Sequence, residues 1–349
     1  MTEPGFRHPP LAAWHRDRPH QRYALGRFRL ESGEAIEDCV LTFVTHGTLA
    51  RDGGNAVLVC PAIGQSHHRL DFLIGEGKAL DPARDFIIAV DALGNGLASS
   101  PSNSARQPGT AFPRFTIGDM VASQHRLLSQ AFALDRLKLV IGASMGGMQA
   151  LEWAVAYPAM MQQVVAMTPM ARTTPWSVLV NAACRAALMA DPAWDGTRFT
   201  AAPERGWRAW AGILRGLANR TPEAVAQDCP TREAVLAWFE GLAPEMVASG
   251  PDPLDWIYQS HAYDAHDVAR RHGGDLATAL ARVRARCQVI AAPVDLYNPA
   301  TAAREAASLI PGARFLEVPS IQGHQAANWL DPADAAFLNR EIAAFRAAA

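Results

Sequence analysis

Residues 137–146 read Leu137-Lys138-Leu139-Val140-Ile141-Gly142-Ala143-Ser144-Met145-Gly146, and a helical stretch from Met148 to Tyr157 follows closely. An apolar strand thus runs into a serine flanked by glycines and then into a helix. A sharp strand-to-helix turn of this kind presents the serine hydroxyl at the edge of a sheet, and glycines on either side let the backbone crowd against its neighbours. The helix that follows offers free N-terminal amides, which favour a developing negative charge. Ser144 is therefore the candidate nucleophile.

Working outward, the same apolar signature recurs. Leu41–Val44 ends at His46-Gly47-Thr48; Ala56–Cys60 is opened by Gly53-Gly54-Asn55 and closed by Pro61; Phe86–Val90 repeats the pattern. Near-continuous apolar runs suit strands buried on both faces of a parallel sheet. Between them, residues 117–132 carry Met120, Val121, His125, Leu128 and Phe132 at helical spacing. Alternating β and α segments predict a doubly wound, mostly parallel sheet. From 171 to 285 the character changes: Trp and Ala become dense, and Pro175, Pro192, Pro203, Pro222, Pro230, Pro244, Pro251 and Pro253 punctuate short helical segments. Strand signals return at Cys287–Ile290 and Arg314–Val318, and a last helix is predicted from Pro332 to Phe345. The expected organisation is a core formed by 21–170 and 286–349, a helical insertion at 171–285, and a loose lead-in at 1–20.

Composition narrows the function classes. In 349 residues, 49% hydrophobic and 19% charged content excludes a disordered or fibrous chain. Lys and Arg total 32 against 34 Asp and Glu, with no basic run, so nucleic acid and anionic membrane are not expected as partners. No stretch reaches the roughly 18 consecutive apolar residues of a membrane span. The first residues, MTEPGFRHPPLAAWHRDRPHQRYALG, are broken by Pro and charge and hold no apolar signal core, so a cytoplasmic location is expected. Cys39, Cys60, Cys184, Cys229 and Cys287 are scattered, without a C-x-x-C pair or a His at ligand spacing. They are read as buried thiols, with neither a disulfide framework nor a metal site.

A serine hydroxyl needs a base to take its proton, and that base needs a carboxylate to orient it, in the chain order Ser, Asp, His. Asp295 lies in Pro293-Val294-Asp295-Leu296-Tyr297-Asn298-Pro299, just after the strand at 287–290; the competing reading is a turn residue bonding its own backbone. His324 lies after the last strand in Ser320-Ile321-Gln322-Gly323-His324; its competing reading is a loop histidine bonded to backbone. The oxyanion needs two amide donors. Met145, next to the nucleophile, supplies one, and Ile63, in Pro61-Ala62-Ile63-Gly64-Gln65-Ser66, is the candidate for the other unless this is simply a glycine-containing loop.

With these residues assembled, the chain resembles the homoserine O-acetyltransferase family of the α/β-hydrolase superfamily over roughly residues 38–345. The likeness runs through Leu73-Ile74-Gly75-Glu76-Gly77-Lys78-Ala79-Leu80-Asp81 and Thr116-Ile117-Gly118-Asp119-Met120-Val121, and is most specific at Ser144-Met145-Gly146-Gly147-Met148-Gln149-Ala150-Leu151-Glu152-Trp153-Ala154-Val155 and Tyr157-Pro158. The resemblance implies an α/β-hydrolase fold with a helical lid, and an acyl-serine enzyme that passes an acyl group from an ester or thioester to an alcohol. It places the nucleophile on Ser144, the carboxylate on Asp295 and the base on His324. No bound cofactor is implied, acetyl-CoA being a candidate acyl donor, and a homodimer through the lid is common in similar proteins.

Departures from the family pattern bear on the acceptor. Gln325 stands where the transferases carry an acidic residue for the homoserine amino group. The family's lid Arg and Tyr have no clear equivalent in Gly206-Trp207-Arg208-Ala209-Trp210-Ala211-Gly212-Ile213-Leu214-Arg215-Gly216-Leu217, where Arg208 or Arg215 either substitutes or points to solvent. The oxyanion loop differs from the transferases' His-Ala-Leu-Thr-Gly. Trp207, Trp210, Trp256 and Tyr258 either line an apolar substrate pocket or form lid core. In the lid, Trp256 to Asp267 resembles a family segment ending in an Asp pair, either near substrate or structural. Losing polar clamps removes discrimination for an amino acid acceptor. The expected activity is hydrolysis of small carboxylic esters or acyl transfer to an alcohol; the alternatives are homoserine O-acetyltransferase and, lower, a non-catalytic binding scaffold.

Overall fold

The strand that leads into Ser144, β5 (Leu137–Ala143), sits inside an eight-stranded sheet and pairs in parallel with β3 (Ala56–Cys60) on one side and β6 (Met161–Met167) on the other. The computed structural model describes residues 11–348. With β1 (Gln21–Arg29), β2 (Ala35–His46), β4 (Phe86–Val90), β7 (Arg286–Ala291) and β8 (Arg314–Glu317), the strand order is β1-β2-β4-β3-β5-β6-β7-β8. β1 and β2 run antiparallel to their neighbours; from β4 to β8 every pairing is parallel. This is the mostly parallel, doubly wound sheet expected from the sequence. Its strands are buried on both faces: Val57 and Val59 enter one apolar layer, while Ala56, Leu58 and Cys60 enter the other.

Helices α1 (Ile117–Ala131) and α2 (Met145–Ala156) pack on one side. Thr116 caps α1 by accepting from Asp119 N while the Asp119 carboxylate accepts from Thr116 N, a reciprocal box that closes the first turn. α2 is buried almost from end to end, so its polar residues must find partners inside the protein. Gln149 bonds Gln124, which accepts from Trp153 Nε1.

Between β6 and β7 the chain is helical: α3 (Pro175–Met189), α4 (Glu204–Ala211) with its π-helical continuation at Gly212–Ala218, α5 (Pro222–Asp228), α6 (Arg232–Ser249), α7 (Pro253–Asp264) and α8 (Leu276–Leu280). α7 holds this layer to the sheet. Its buried Asp255 accepts from both Ser102 N (2.9 Å) and Ser102 Oγ (2.5 Å), and burial raises that carboxyl well above its usual range, with Asp252 adding to the shift. Helices α9 (Ala300–Leu309) and α10 (Pro332–Ala347) complete the fold.

Several expectations need correction. β6 carries no continuous apolar run, because Gln162 and Gln163 interrupt it, yet it fills a central place in the sheet. The lead-in at 1–20 lies partly outside the described residues; the described part, 11–20, is not loose. Arg16 N donates to Asp71 Oδ2 (2.6 Å), Trp14 packs on Trp329, and His15 stacks on His68 with ring centroids 4.3 Å apart. Aromatic packing and a buried carboxylate, not local propensity, fix this segment. Cys229 is only half-buried, at the C-terminus of the exposed helix α5, whereas the other four cysteines are buried. Among the described residues no helix is long and apolar enough to cross a membrane.

Glu152 on α2 yields a pH test, since burial pushes its carboxyl up to about 7. A folded pKa above the unfolded one means the stabilisation is full below about pH 4.5 and drains as pH rises to about 7. Glu152→Gln, neutral throughout, is expected to gain Tm relative to the parent between pH 5 and pH 8; thermal melts showing a constant gap would contradict this.

Candidate active site

The sharp turn after β5 is built by backbone contact. A Cβ at Gly142 would sit 2.1 Å from Gly146 O, and one at Gly146 would sit 2.3 Å from Cys60 O. Both positions exclude any larger residue. Ser144 itself is held at φ 56°, ψ −122°, a strained conformation for a non-glycine residue, while its amide donates to Met167 O (2.9 Å). The turn thus raises Ser144 Oγ above the C-terminal ends of β3, β5 and β6.

Three side chains distant in sequence converge there. His324 Nε2 lies 2.9 Å from Ser144 Oγ, and His324 Nδ1 lies 2.7 Å from Asp295 Oδ2. With the Nδ1 proton donated to Asp295, Nε2 accepts from the serine hydroxyl. All three groups are buried. Asp295 does two jobs at once. Its Oδ1 accepts from the amides of Tyr297 and Asn298, both at 2.8 Å, as a turn aspartate does, and its Oδ2 holds the imidazole.

Further residues brace this line and carry no sequence signal of their own. Asn298 Nδ2 donates to Thr168 O (2.7 Å), tying the Asp295 loop to the end of β6, and its Oδ1 accepts from Tyr263. Tyr263 stacks on Tyr297, whose ring meets His324 edge-on at 5.1 Å. Burial pushes the Tyr263 phenol up, and the Asp295 charge adds to the effect.

Of the two residues expected to supply oxyanion amides, Met145 adjoins the serine and Ile63 lines the same cavity as it. Met145 opens α2 directly after Ser144. Ile63 lines the cavity, and after it Gly64 N donates to Gln259 Oε1 (2.7 Å) and Gln65 N to Ala62 O (3.1 Å). Gln259, on α7, also donates to Leu93 O, so this helix clamps the loop. From beneath, Gln149 Nε2 donates to Pro61 O (2.9 Å).

Above Ser144 and His324 opens a cavity of about 380 Å³. Trp210, Leu214, Met246 and Trp256 roof it from the helical layer, and Trp14 and Trp329 close one side. Gln325 lines it as well, its Oε1 accepting from Asn328 Nδ2. Arg215 is present, ion-paired with Glu245 at 2.7 Å. Two expected substrate residues are not brought here. Arg208 is exposed and pairs with Glu240 on the surface of the helical layer. Tyr258 is buried away from the cavity, its hydroxyl donating to Phe112 O (2.9 Å) and its ring covered by Arg114 at 4.0 Å. Helical phase decides this: Trp210 and Arg208, two residues apart, face different sides. Trp207 packs edge-on against Trp210 as core. The Asp pair, Asp264 and Asp267, is occupied by Arg185 and Arg172.

Beside the cavity, ring nitrogens of His20, His67 and His68 lie within 4.8 Å of one another, a set able to hold a metal ion. His67 Nδ1 is bonded to Asp91 (3.0 Å) and His68 Nδ1 to Asp71 (2.6 Å). The expectation that no metal-ligating set exists came from local spacing alone, which cannot detect a histidine brought in from the N-terminal segment.

An α/β-hydrolase fold family model matches residues 55–222. The ethyl acetate hydrolase of Pseudomonas veronii is 32% identical over 314 residues, covering 88% of this chain and 89% of that protein. The homoserine O-acetyltransferase of Nostoc punctiforme is 31% identical over 324 residues, covering 86% and 89% respectively. Among solved structures, the acetyl esterase MekB superposes with a TM-score of 0.88 at 30% identity, covering 95% of this chain and 97% of that one.

The turn's steric demand is directly testable. Gly146→Ala drives a methyl group into the Cys60 carbonyl and is expected to cost about 3 kcal/mol, the upper range for overpacking, read by urea denaturation; a loss below 1 kcal/mol would show that the turn can relax.

Proposed function

Because the chain belongs to the α/β-hydrolase family that includes these esterases and homoserine O-acetyltransferases, we propose that it hydrolyses small carboxylic esters through an acyl-Ser144 intermediate. The observation that carries the reading is the continuous line Ser144 Oγ, His324 Nε2, His324 Nδ1, Asp295 Oδ2, with both contacts under 3 Å.

The steps follow from that line. Ser144 Oγ attacks the ester carbonyl as its proton passes to His324 Nε2. Asp295 keeps the other ring nitrogen protonated and stabilises the imidazolium. The carbonyl oxygen becomes an oxyanion between the amides of Met145 and Ile63, each donor being worth about 10²–10³ in rate. Collapse breaks the ester C–O bond, and His324 returns the proton to the departing alcohol. Water then enters, gives a proton to His324 and attacks the acyl carbonyl; the second tetrahedral species releases the acid and restores the serine hydroxyl.

Water as acceptor is favoured by what lines the cavity. Gln325 is a neutral amide and Glu245 is committed to Arg215, so an incoming ammonium meets no uncommitted carboxylate there among the described residues. Homoserine as acceptor with acetyl-CoA as donor is the second reading, supported by the Nostoc relative. A scaffold without catalysis leaves the strained serine and its aligned histidine without a purpose.

Two measurements test the proposal. Incubation with p-nitrophenyl acetate is expected to add one acetyl mass to Ser144 and to turn over faster than acetyl-CoA with homoserine; the reverse order of rates would select the transferase. Asp295→Asn is expected to lower kcat by about 10⁴ while leaving the fold intact, because the wrong imidazole tautomer then faces the serine. Near-parent turnover in that variant would mean another carboxylate orients His324.

A further inference from the structure

Arg69 lines the same cavity as Ser144 and His324, on the 3₁₀ turn His67–Leu73 that follows the oxyanion loop. It is 8% exposed. One end of its guanidinium is used: Nη2 donates to Ala327 O at 2.7 Å, on the turn that carries His324. Nη1 has no hydrogen-bond partner among the described residues. Nor does any described carboxylate form an ion pair with it. Asp71, two positions on, accepts from Arg16 N and holds His68 Nδ1; Asp295 is bound to His324; Glu245 is bound to Arg215. Burial lowers its pKa only to about 10, so the group stays cationic at neutral pH.

A buried guanidinium without a counter-charge is costly, since the lost hydration is not returned by an ion pair. Such a group persists where something else supplies the negative charge, and its planar fork suits a carboxylate. We infer that the site takes esters bearing a carboxylate, which Arg69 binds while Ser144 attacks the ester carbonyl. This rests on the esterase reading above and narrows it to a substrate class. The carboxylate sits either on the acyl side, as in the monoester of a dicarboxylic acid, or on the alcohol side, as in an O-acyl hydroxy acid. The guanidinium's chemistry is the same for both. Arg215, the other arginine in the cavity, is already neutralised by Glu245.

The test compares each charged ester with its own methylated, neutral form: monoethyl succinate against ethyl methyl succinate by ethanol release, and O-acetylglycolate against its methyl ester by acetate release. In the parent protein, kcat/KM for at least one charged ester is expected to exceed its neutral form by about 10- to 100-fold, the worth of a charge-assisted hydrogen bond. Whichever pair shows the preference locates the carboxylate. Arg69→Gln keeps an amide able to donate to the Ala327 carbonyl but removes the charge, and is expected to erase the ratio; Arg69→Lys keeps the charge and is expected to retain part of it. A merely structural role for Arg69 would lower both members of a pair together and leave the ratio unchanged. Equal rates for charged and neutral esters in the parent overturn the inference whether or not the variants fold, as does a preference that survives Arg69→Gln. If p-nitrophenyl acetate is turned over without any preference for charge, only this inference fails; if no ester is turned over, the esterase reading fails with it.

Discussion

The contact of Gly146 with the carbonyl of Cys60 governs the geometry of everything above it. At that point the start of α2 passes so close to the end of β3 that no Cβ can intervene. Ser144 is forced into positive φ, and its hydroxyl is lifted off the sheet. The same contact brings the chain after Cys60, with Ile63, to the cavity that Ser144 lines, so the serine and the loop proposed to hold the oxyanion are placed by one packing event. The strain at Ser144, of order 1–3 kcal/mol, is offset by neighbours that over-determine the turn: Met167 O takes the serine amide, and Gln149 reaches from α2 to Pro61 O.

What could be read from the chain alone follows from how local each signal is. β3, β4, β5 and β7 announce themselves as apolar runs because both faces are buried, and the elbow announces itself because its glycines are obligatory. His324 and Asp295 could be placed because chain order along the sheet restricts where a base and its carboxylate arise. β6 escaped because two glutamines sit in it, and the sheet tolerates them: Gln162 is exposed, and Gln163 is half-buried and donates to Arg346 O. Trp14 and His15 escaped for a different reason. Proline and mixed charge around them suggest a loose segment, and only the long-range partners Trp329 and His68 reveal otherwise. Arg208 and Tyr258 were misplaced because a helix's hydrophobic stripe identifies its buried side without saying which buried residues meet the cavity.

These misses share a pattern that bears on function. Ser144, Asp295 and His324 stand in the segments that follow β5, β7 and β8, whose positions the sheet dictates, whereas the cavity walls come from four pieces of chain remote from one another: the N-terminal segment, the loop and 3₁₀ turn after β3, the helical layer between β6 and β7, and the stretch after His324. Strand ends have one register and therefore one geometry. Walls assembled from separate pieces can change residue by residue without disturbing that geometry, which is how one acyl-serine apparatus accommodates different acceptors.

The polar groups in the walls then decide what enters. Apolar side chains such as Trp210, Leu214, Met246 and Trp256 roof the cavity, and they give little discrimination between small acyl chains, each methylene being worth only about 1–3 kcal/mol. Strong selection has to come from groups that are costly to leave unpaired. Gln325 is satisfied by Asn328, and Arg215 by Glu245, so neither is left wanting when the cavity holds only water. Arg69 differs, because among the described residues no carboxylate balances its charge. On the inference drawn above, a site that joins the Ser144–His324–Asp295 line to a buried guanidinium left uncompensated by the described residues is complementary to an anion held in the same cavity, and the apolar roof of Trp210 and Trp256 strengthens that pairing by lowering the local dielectric.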